Sequence, residues 1–199
     1  MRTEGLARLL SHFRGTAVAD GKLGGNGAPS PVRYAADYDL RKRRNSKLRM
    51  VFVARGGAVI AERGPDDTSR KKPLAEEFRR NVLDPLSAME ATITAVRRGE
   101  ASFTVPVYDG ARRFDAVVRV EPRDPSKPGL RLAMSLHAIA GFKGESSDDP
   151  DPDDSPRSVA VVLSDDAALL PLSLSVPIWF LPLDVTLVRV CAPNDPCGW

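Results

Sequence analysis

The sequence predicts a mainly β protein: about nine or ten short strands in an antiparallel sheet curled into a barrel or half-barrel, with one internal helix over residues 85–98 and a short N-terminal helix. Three observations lead there. Apolar and polar residues alternate through segment after segment. Clusters rich in Gly, Pro, Asn and Asp separate those segments at regular spacing. Only one long stretch, 81–99, has the start, face and stop of a helix. With 199 residues and 42% apolar content the chain can bury one sizeable core, so a single domain is expected.

Residues 3–12 can form a short helix, with Thr3 as cap and Leu6, Leu9 and Leu10 on one side. Charges interrupt this segment, so it is not a secretory signal peptide, and the chain is expected in the cytoplasm if Met1 is its start. Residues 13–20 alternate roughly as a strand, and 21–31 read as a turn or loop. Gly24, Gly25 and Gly27 there are not followed by Gly-Lys-Ser/Thr, which excludes a phosphate loop.

Residues 32–40 and 47–54 read as successive strands joined by a basic turn containing Arg41, Lys42, Arg43 and Arg44. Gly56 and Gly57 break that run, 58–62 adds a short strand, and 65–72 is a polar loop. The central helix follows. Asp84 can cap its first amides, Pro85 suits the first helical position, and Gly99 can take the left-handed conformation that ends it. Leu86, Met89, Ile93 and Val96 recur at spacings of three and four, forming one apolar stripe with Glu90, Arg97 and Arg98 outside it.

The β pattern resumes at 102–107, turns at Asp109-Gly110 and returns through 114–120. After a second turn at 122–129, Leu130, Leu132, Met134, Leu136 and Ala138 alternate with Arg131, Ala133, Ser135, His137 and Ile139, a strand with one buried face. Residues 144–156 form an acidic, Pro-rich flexible loop, too polar to pack. Strands at 158–164, 169–176 and 183–191 complete the set, before a tail at 192–199. The last two strands are joined by an apolar loop, 177–182, whose Trp179 and Phe180 are expected to plug the barrel in preference to lying exposed. A long open sheet twists and leaves edges unpaired, which is why this series is expected to curl with the helix covering its apolar face.

Charge is unevenly spread. Residues 1–144 hold 27 Lys and Arg against 16 Asp and Glu, whereas 145–199 hold 2 against 10. The basic residues sit mostly in turns, so a nucleic-acid partner is not expected. No run of about eighteen apolar residues exists to cross a bilayer as a helix.

Catalytic signals are sparse. The two histidines and two cysteines lack zinc-site spacing, and no Gly-x-Ser-x-Gly elbow or Cys–His pairing is visible. No metal or cofactor is expected. The acidic run of Asp148, Asp149, Asp151, Asp153 and Asp154 lacks the Gly and terminal Glu of a calcium loop. A hydrolase-like set of Asp109, Asp115 and His137 is the alternative enzyme reading, and it requires the three to converge in one cleft.

Three segments carry a resemblance. Asp84-Pro85-Leu86-Ser87-Ala88 opens the helix, and Val105-Pro106-Val107-Tyr108-Asp109-Gly110-Ala111-Arg112-Arg113-Phe114-Asp115 is followed by His137-Ala138-Ile139-Ala140-Gly141-Phe142. With their order and spacing, about residues 5–190 resemble the bacterial domain-of-unknown-function family 3108. The chain departs from that family in having Phe114 in place of Tyr, and in missing a signal peptide and first strands before Met1, as though Met1 were a late start.

The resemblance implies an exported, mainly β envelope protein of a Gram-negative bacterium, with no assigned reaction. A periplasmic, non-enzymatic domain binding an apolar or amphipathic ligand is the leading expectation, and a structural or interaction partner in an envelope complex is the second. Asp84, Pro85, Leu86, Ser87, Asp109, Gly110, Asp115 and Gly141 are expected to be structural, with Arg112 or Arg113 pairing with Asp115 or Asp84. The ligand-binding version has an arginine, Arg112 or Arg113, beside Tyr108 and Phe114 holding an anionic headgroup at a cavity mouth. In an oxidising compartment Cys191 and Cys197 can close a small disulfide loop, or the short Pro-containing segment can hold them apart.

Overall fold

A computed structural model describes residues 14–40, 43–69, 72–142, 158–178 and 181–191. The expected N-terminal helix at 3–12, the acidic loop and the tail lie outside them. Ten strands and one α-helix are described, in two antiparallel meanders. The first is a four-stranded sheet of β1 (Arg14–Leu23), β2 (Pro29–Leu40), β3 (Arg43–Arg55) and β4 (Ala58–Arg63). After a 3-10 turn (Glu76–Arg79) and the helix α1 (Pro85–Arg97) comes a six-stranded sheet. Its strands are β5 (Ser102–Tyr108), β6 (Arg113–Val120), β7 (Leu130–Ala140), β8 (Ser158–Leu163), β9 (Pro171–Ile178) and β10 (Leu181–Thr186).

The expectation of one curled antiparallel sheet, a barrel or half-barrel, is therefore corrected to two antiparallel sheets, neither of them closed into a barrel. The cause lies between β4 and β5, where the chain inserts a polar loop, the 3-10 turn and α1. In place of direct pairing, residues 80–83 run between the two edges as a strap. Ile60 forms a β-bridge with Arg80 on one side, and Leu83 forms one with Val107 on the other. Asn81 N–H donates to the Val59 carbonyl at 2.7 Å, Leu83 N–H to the Pro106 carbonyl at 2.9 Å, and Tyr108 N–H to the Leu83 carbonyl at 2.9 Å. Asn81 takes φ of 50°, a left-handed conformation that asparagine tolerates better than most residues.

Two turns differ from the sequence reading. The glycine-rich segment expected as a loop over 21–31 is mostly strand, because Gly24 N–H donates to the Ala28 carbonyl and Gly27 N–H to the Gly24 carbonyl, closing a tight β1–β2 turn. The expected apolar plug loop is likewise the end of β9 and the start of β10, with Leu181 opposite Ile178; Trp179 and Phe180 themselves lie outside the described residues.

Alternation decides which face of the larger sheet is buried. Val118, Leu132, Met134, Val159, Val161 and Leu163 form a core with Ile93 of α1, and Met89 and Val96 pack against it. Further along α1, Ala88 joins Val105, Val107 and Ala116. Burying an isoleucine such as Ile93 contributes about 1.5–3 kcal/mol, so this helix face is a principal source of stability. Leu86, expected in the stripe, is 41% exposed, whereas Ser87, Thr92, Thr94 and Ala95 are buried. The helix is buried so widely because it packs against β5 and also against β1 and β2. The Thr94 hydroxyl, for example, donates to the Gly27 carbonyl in the β1–β2 turn at 3.2 Å.

Candidate functional site

The segments that carry the motif meet where the strap, the start of α1 and the β5–β6 turn come together. Asp84 is fully buried at the N-cap of α1. Its Oδ1 accepts from the Leu86 and Ser87 amides, each at 3.0 Å, and its Oδ2 accepts from the Ser87 hydroxyl at 2.6 Å. A carboxylate at a helix N-terminus also meets the positive end of the dipole, and Pro85 supplies no amide that would need a partner. Asp84 thus uses both oxygens locally, and neither arginine expected to pair with it does so.

Asp109 serves the β5–β6 turn in the same way. Its Oδ1 accepts from the Ala111 amide at 2.9 Å and the Arg112 amide at 2.7 Å, while Oδ2 pairs with Arg112 Nε at 3.1 Å. Arg112 also stacks over the Phe142 ring, 5.6 Å from its centroid. Arg113 Nη1 pairs with Asp115 at 2.7 Å and donates to the Phe114 carbonyl. Of the expected pairings, Arg113 with Asp115 is present, and Arg112 is held by Asp109.

Two glycines let this turn dock. A Cβ on Gly110, where φ is 89°, would lie 2.5 Å from Leu48 Cδ1 of β3. One on Gly141, where φ is 84°, would lie 2.3 Å from the Ala111 carbonyl oxygen and 3.0 Å from Leu74 Cδ2. Glycine suits the backbone conformation at both, and at Gly141 the main chain of Ala111 also leaves no space for a Cβ.

Tyr34 and Tyr108 fill the middle of this junction. They are buried with Met50, Ala61 and Val82. Burial pushes the Tyr34 hydroxyl up to about 12, helped by the negative charges of Asp84 and Asp109. The Tyr108 hydroxyl is also raised by burial, and it hydrogen-bonds the Leu74 main chain. The Leu74 carbonyl in turn accepts from Arg79 Nε at 2.8 Å.

The four residues considered for a ligand headgroup all belong to the β5–β6 hairpin, with Tyr108 opposite Arg113 in its register. Tyr108 packs toward the four-stranded sheet, Phe114 packs with Leu83, Ala91 and Leu136 around Ala88, and each arginine has an aspartate partner. The enzyme alternative finds two of its three residues adjacent. Asp115 stands opposite His137 in the β6–β7 register. Asp115 is engaged by Arg113, His137 is exposed, and Asp109 is committed to its own turn. Among the described residues no cluster of His, Cys, Asp and Glu is arranged to hold a metal ion. Cys191 is disulfide-bonded, and Cys197 lies outside the described residues.

Sequence reasoning missed Tyr34, Leu48, Leu74 and Asn81. None lies in the motif segments, and only contacts distant in sequence give them their roles.

The class defined by this fold is a mainly β protein of two antiparallel meanders joined by a short strap beside one helix. The family described as "Protein of unknown function (DUF3108)" matches residues 1–184, and the chain belongs to that family. No curated protein and no solved structure matches the chain significantly. No helix among the described residues is long and apolar enough to cross a membrane.

Proposed function

We propose that this chain is a non-enzymatic envelope domain that works by presenting its sheet surfaces and edges to a partner protein, in preference to enclosing an apolar ligand. The observation that carries the reading is the position of α1. The apolar face of the six-stranded sheet, where a hydrophobe would be held, is covered by Met89, Ile93 and Val96. The motif residues support it too, since their charges and hydrogen-bonding groups are spent on the cap, the turn and their own ion pairs. Placement in an oxidising compartment such as the periplasm is supported by the disulfide at Cys191 and by what the family resemblance implies.

Native mass spectrometry of the protein purified from its own host, with whatever N-terminal segment it carries there, tests this reading. The expected mass is that of the polypeptide alone, or of its protein complexes. A lipid or other hydrophobe retained in stoichiometric amount would overturn the proposal and favour carriage.

A further inference from the structure

The asparagines of the chain are Asn26, Asn45, Asn81 and Asn194, and Asn26 alone is followed by glycine. Asn26 is exposed in the β1–β2 turn. Its side-chain Oδ1 accepts from the Ala28 amide at 3.1 Å. That bond folds the side chain back over the Asn26–Gly27 peptide, toward the nitrogen of Gly27, and Gly27 has no Cβ to obstruct an approach.

We infer that Asn26 is a self-modification site, where the Gly27 nitrogen closes on the Asn26 side chain and the asparagine becomes aspartate or isoaspartate. The Gly27 nitrogen gives its proton to solvent hydroxide and bonds to Asn26 Cγ. Negative charge gathers on Oδ1, where the Ala28 amide already donates and stabilises it. The Cγ–Nδ2 bond then breaks, and Nδ2 takes a proton from water and leaves as ammonia. Water next opens the cyclic imide. Attack at Cγ gives aspartate, and attack at the main-chain carbonyl gives isoaspartate, in which Gly27 stays bonded to Cγ. The Gly27 N–H must first leave the Gly24 carbonyl, which it meets at 2.8 Å, and an exposed turn can open locally to allow this.

Gly27 also makes the contact between this turn and α1. The Thr94 hydroxyl donates to its carbonyl at 3.2 Å, and a Cβ on Gly27 would lie 3.3 Å from Thr94 Cγ2. Isoaspartate adds one carbon to the main chain just before Gly27 and so displaces that carbonyl. Aspartate keeps both the main chain and a side-chain acceptor for Ala28. Asn81 is the internal comparison: branched Val82 follows it, and its Oδ1 is held by the Val59 amide of β4.

Peptide mapping by mass spectrometry tests the inference, with the folded full chain incubated in mildly alkaline buffer beside its Asn26→Gln variant. The wild type is expected to deamidate at Asn26, faster at higher pH, while Asn81 keeps its amide. The variant would have to close a larger ring and is expected to show no conversion at residue 26. The isoaspartate fraction, separated by chromatography, should lose hydrogen-exchange protection at the Gly24 and Gly27 amides, which the aspartate fraction retains. An Asn26 that stays intact in the folded protein while the urea-unfolded chain converts would overturn the inference, because the turn would then be protecting it. Conversion at Asn81 as fast as at Asn26, or equal turn protection in the two product fractions, would count against it equally.

Discussion

Asn81 and Val59 exchange two hydrogen bonds: the Asn81 amide donates to the Val59 carbonyl at 2.7 Å, and the Val59 amide donates to the Asn81 side-chain Oδ1 at 3.0 Å. One asparagine thereby completes the edge of β4 with its main chain and its side chain. Two residues later Leu83 does the same for β5 with its main chain alone. Replacing Asn81 by Ala removes the side-chain acceptor and leaves a Cβ residue at positive φ, for an expected loss of about 1–2 kcal/mol. Asn81→Gly removes the acceptor but relieves the backbone, so it should cost less than Asn81→Ala. Urea unfolding of the three proteins orders them.

Asp84 is buried without a cation and is satisfied by two amides and one hydroxyl. Asp84→Ala leaves the buried Ser87 amide and hydroxyl without their acceptor and also removes the Leu86 contact, and is expected to cost about 2–4 kcal/mol, more than a surface cap would. Ser87→Ala removes one of the three contacts and should cost about 1 kcal/mol, close to a typical hydrogen bond. Equal losses for the two variants by denaturant titration would contradict the hydrogen-bond assignment.

Gly141→Ala meets a main-chain oxygen at 2.3 Å in a conformation that L-residues avoid. The nearest obstacle, the Ala111 carbonyl oxygen, belongs to the main chain, so relief requires moving the β5–β6 turn. A loss of about 2–4 kcal/mol is expected. Gly99→Ala is the comparison: φ is 78° there too, but nothing lies within 4 Å of the added Cβ. It should cost only about 1 kcal/mol, from the backbone alone. The difference in thermal midpoint between the two variants reads out the close packing.

Tyr34 gives the protein an alkaline limit. Its hydroxyl has a folded value of about 12 against an ordinary 10.0. The folded state therefore holds its proton more tightly than the unfolded chain. This contribution is fully present below pH 10 and is lost as pH rises from about 10 toward 12. Tyr108 is raised in the same direction and reinforces the trend. Tyr34→Phe should flatten the fall of stability with pH across that window, whatever it does to stability at neutral pH. An unchanged slope would contradict the burial of the hydroxyl beside Asp84 and Asp109.

Ile93 lies in the cluster that joins α1 to the six-stranded sheet. Ile93→Asp would bury an unpaired carboxylate there and is expected to abolish folding, seen as loss of the cooperative thermal transition. A folded variant of equal stability would show that the helix does not hold this core together.

Local chemistry made much of this fold legible. The start and stop of α1 were readable because Asp84, Pro85 and Gly99 each suit only a few backbone positions. The strand faces were readable because Leu132 and Met134 alternate with Arg131, Ala133 and Ser135, and the larger sheet does bury the first set. The division into two sheets was not readable, because it depends on whether β4 and β5 pair, and an extended strap of four residues between them has no periodicity of its own. The burial of Thr92 and Thr94 was hidden for a related reason: polar residues on a helix suggest solvent until a second sheet is known to cover them. At the motif, Asp109 and Gly110 were recognisable as turn residues, whereas Leu48 and Leu74 are ordinary leucines whose roles depend on where the turn docks.

The strap at 80–83, bridged to β4 on one side and to β5 on the other, is expected to make the two sheets one cooperative unit. Native-state hydrogen exchange of the Asn81, Leu83 and Tyr108 amides tests it most directly, with the Val118 and Leu132 amides of the larger sheet as reference. If the strap is integral, the three amides open only with global unfolding, and their exchange free energies match the reference and fall with it in denaturant. Fast exchange at the strap while Val118 and Leu132 remain protected would mean that the sheets part independently, and would contradict the account.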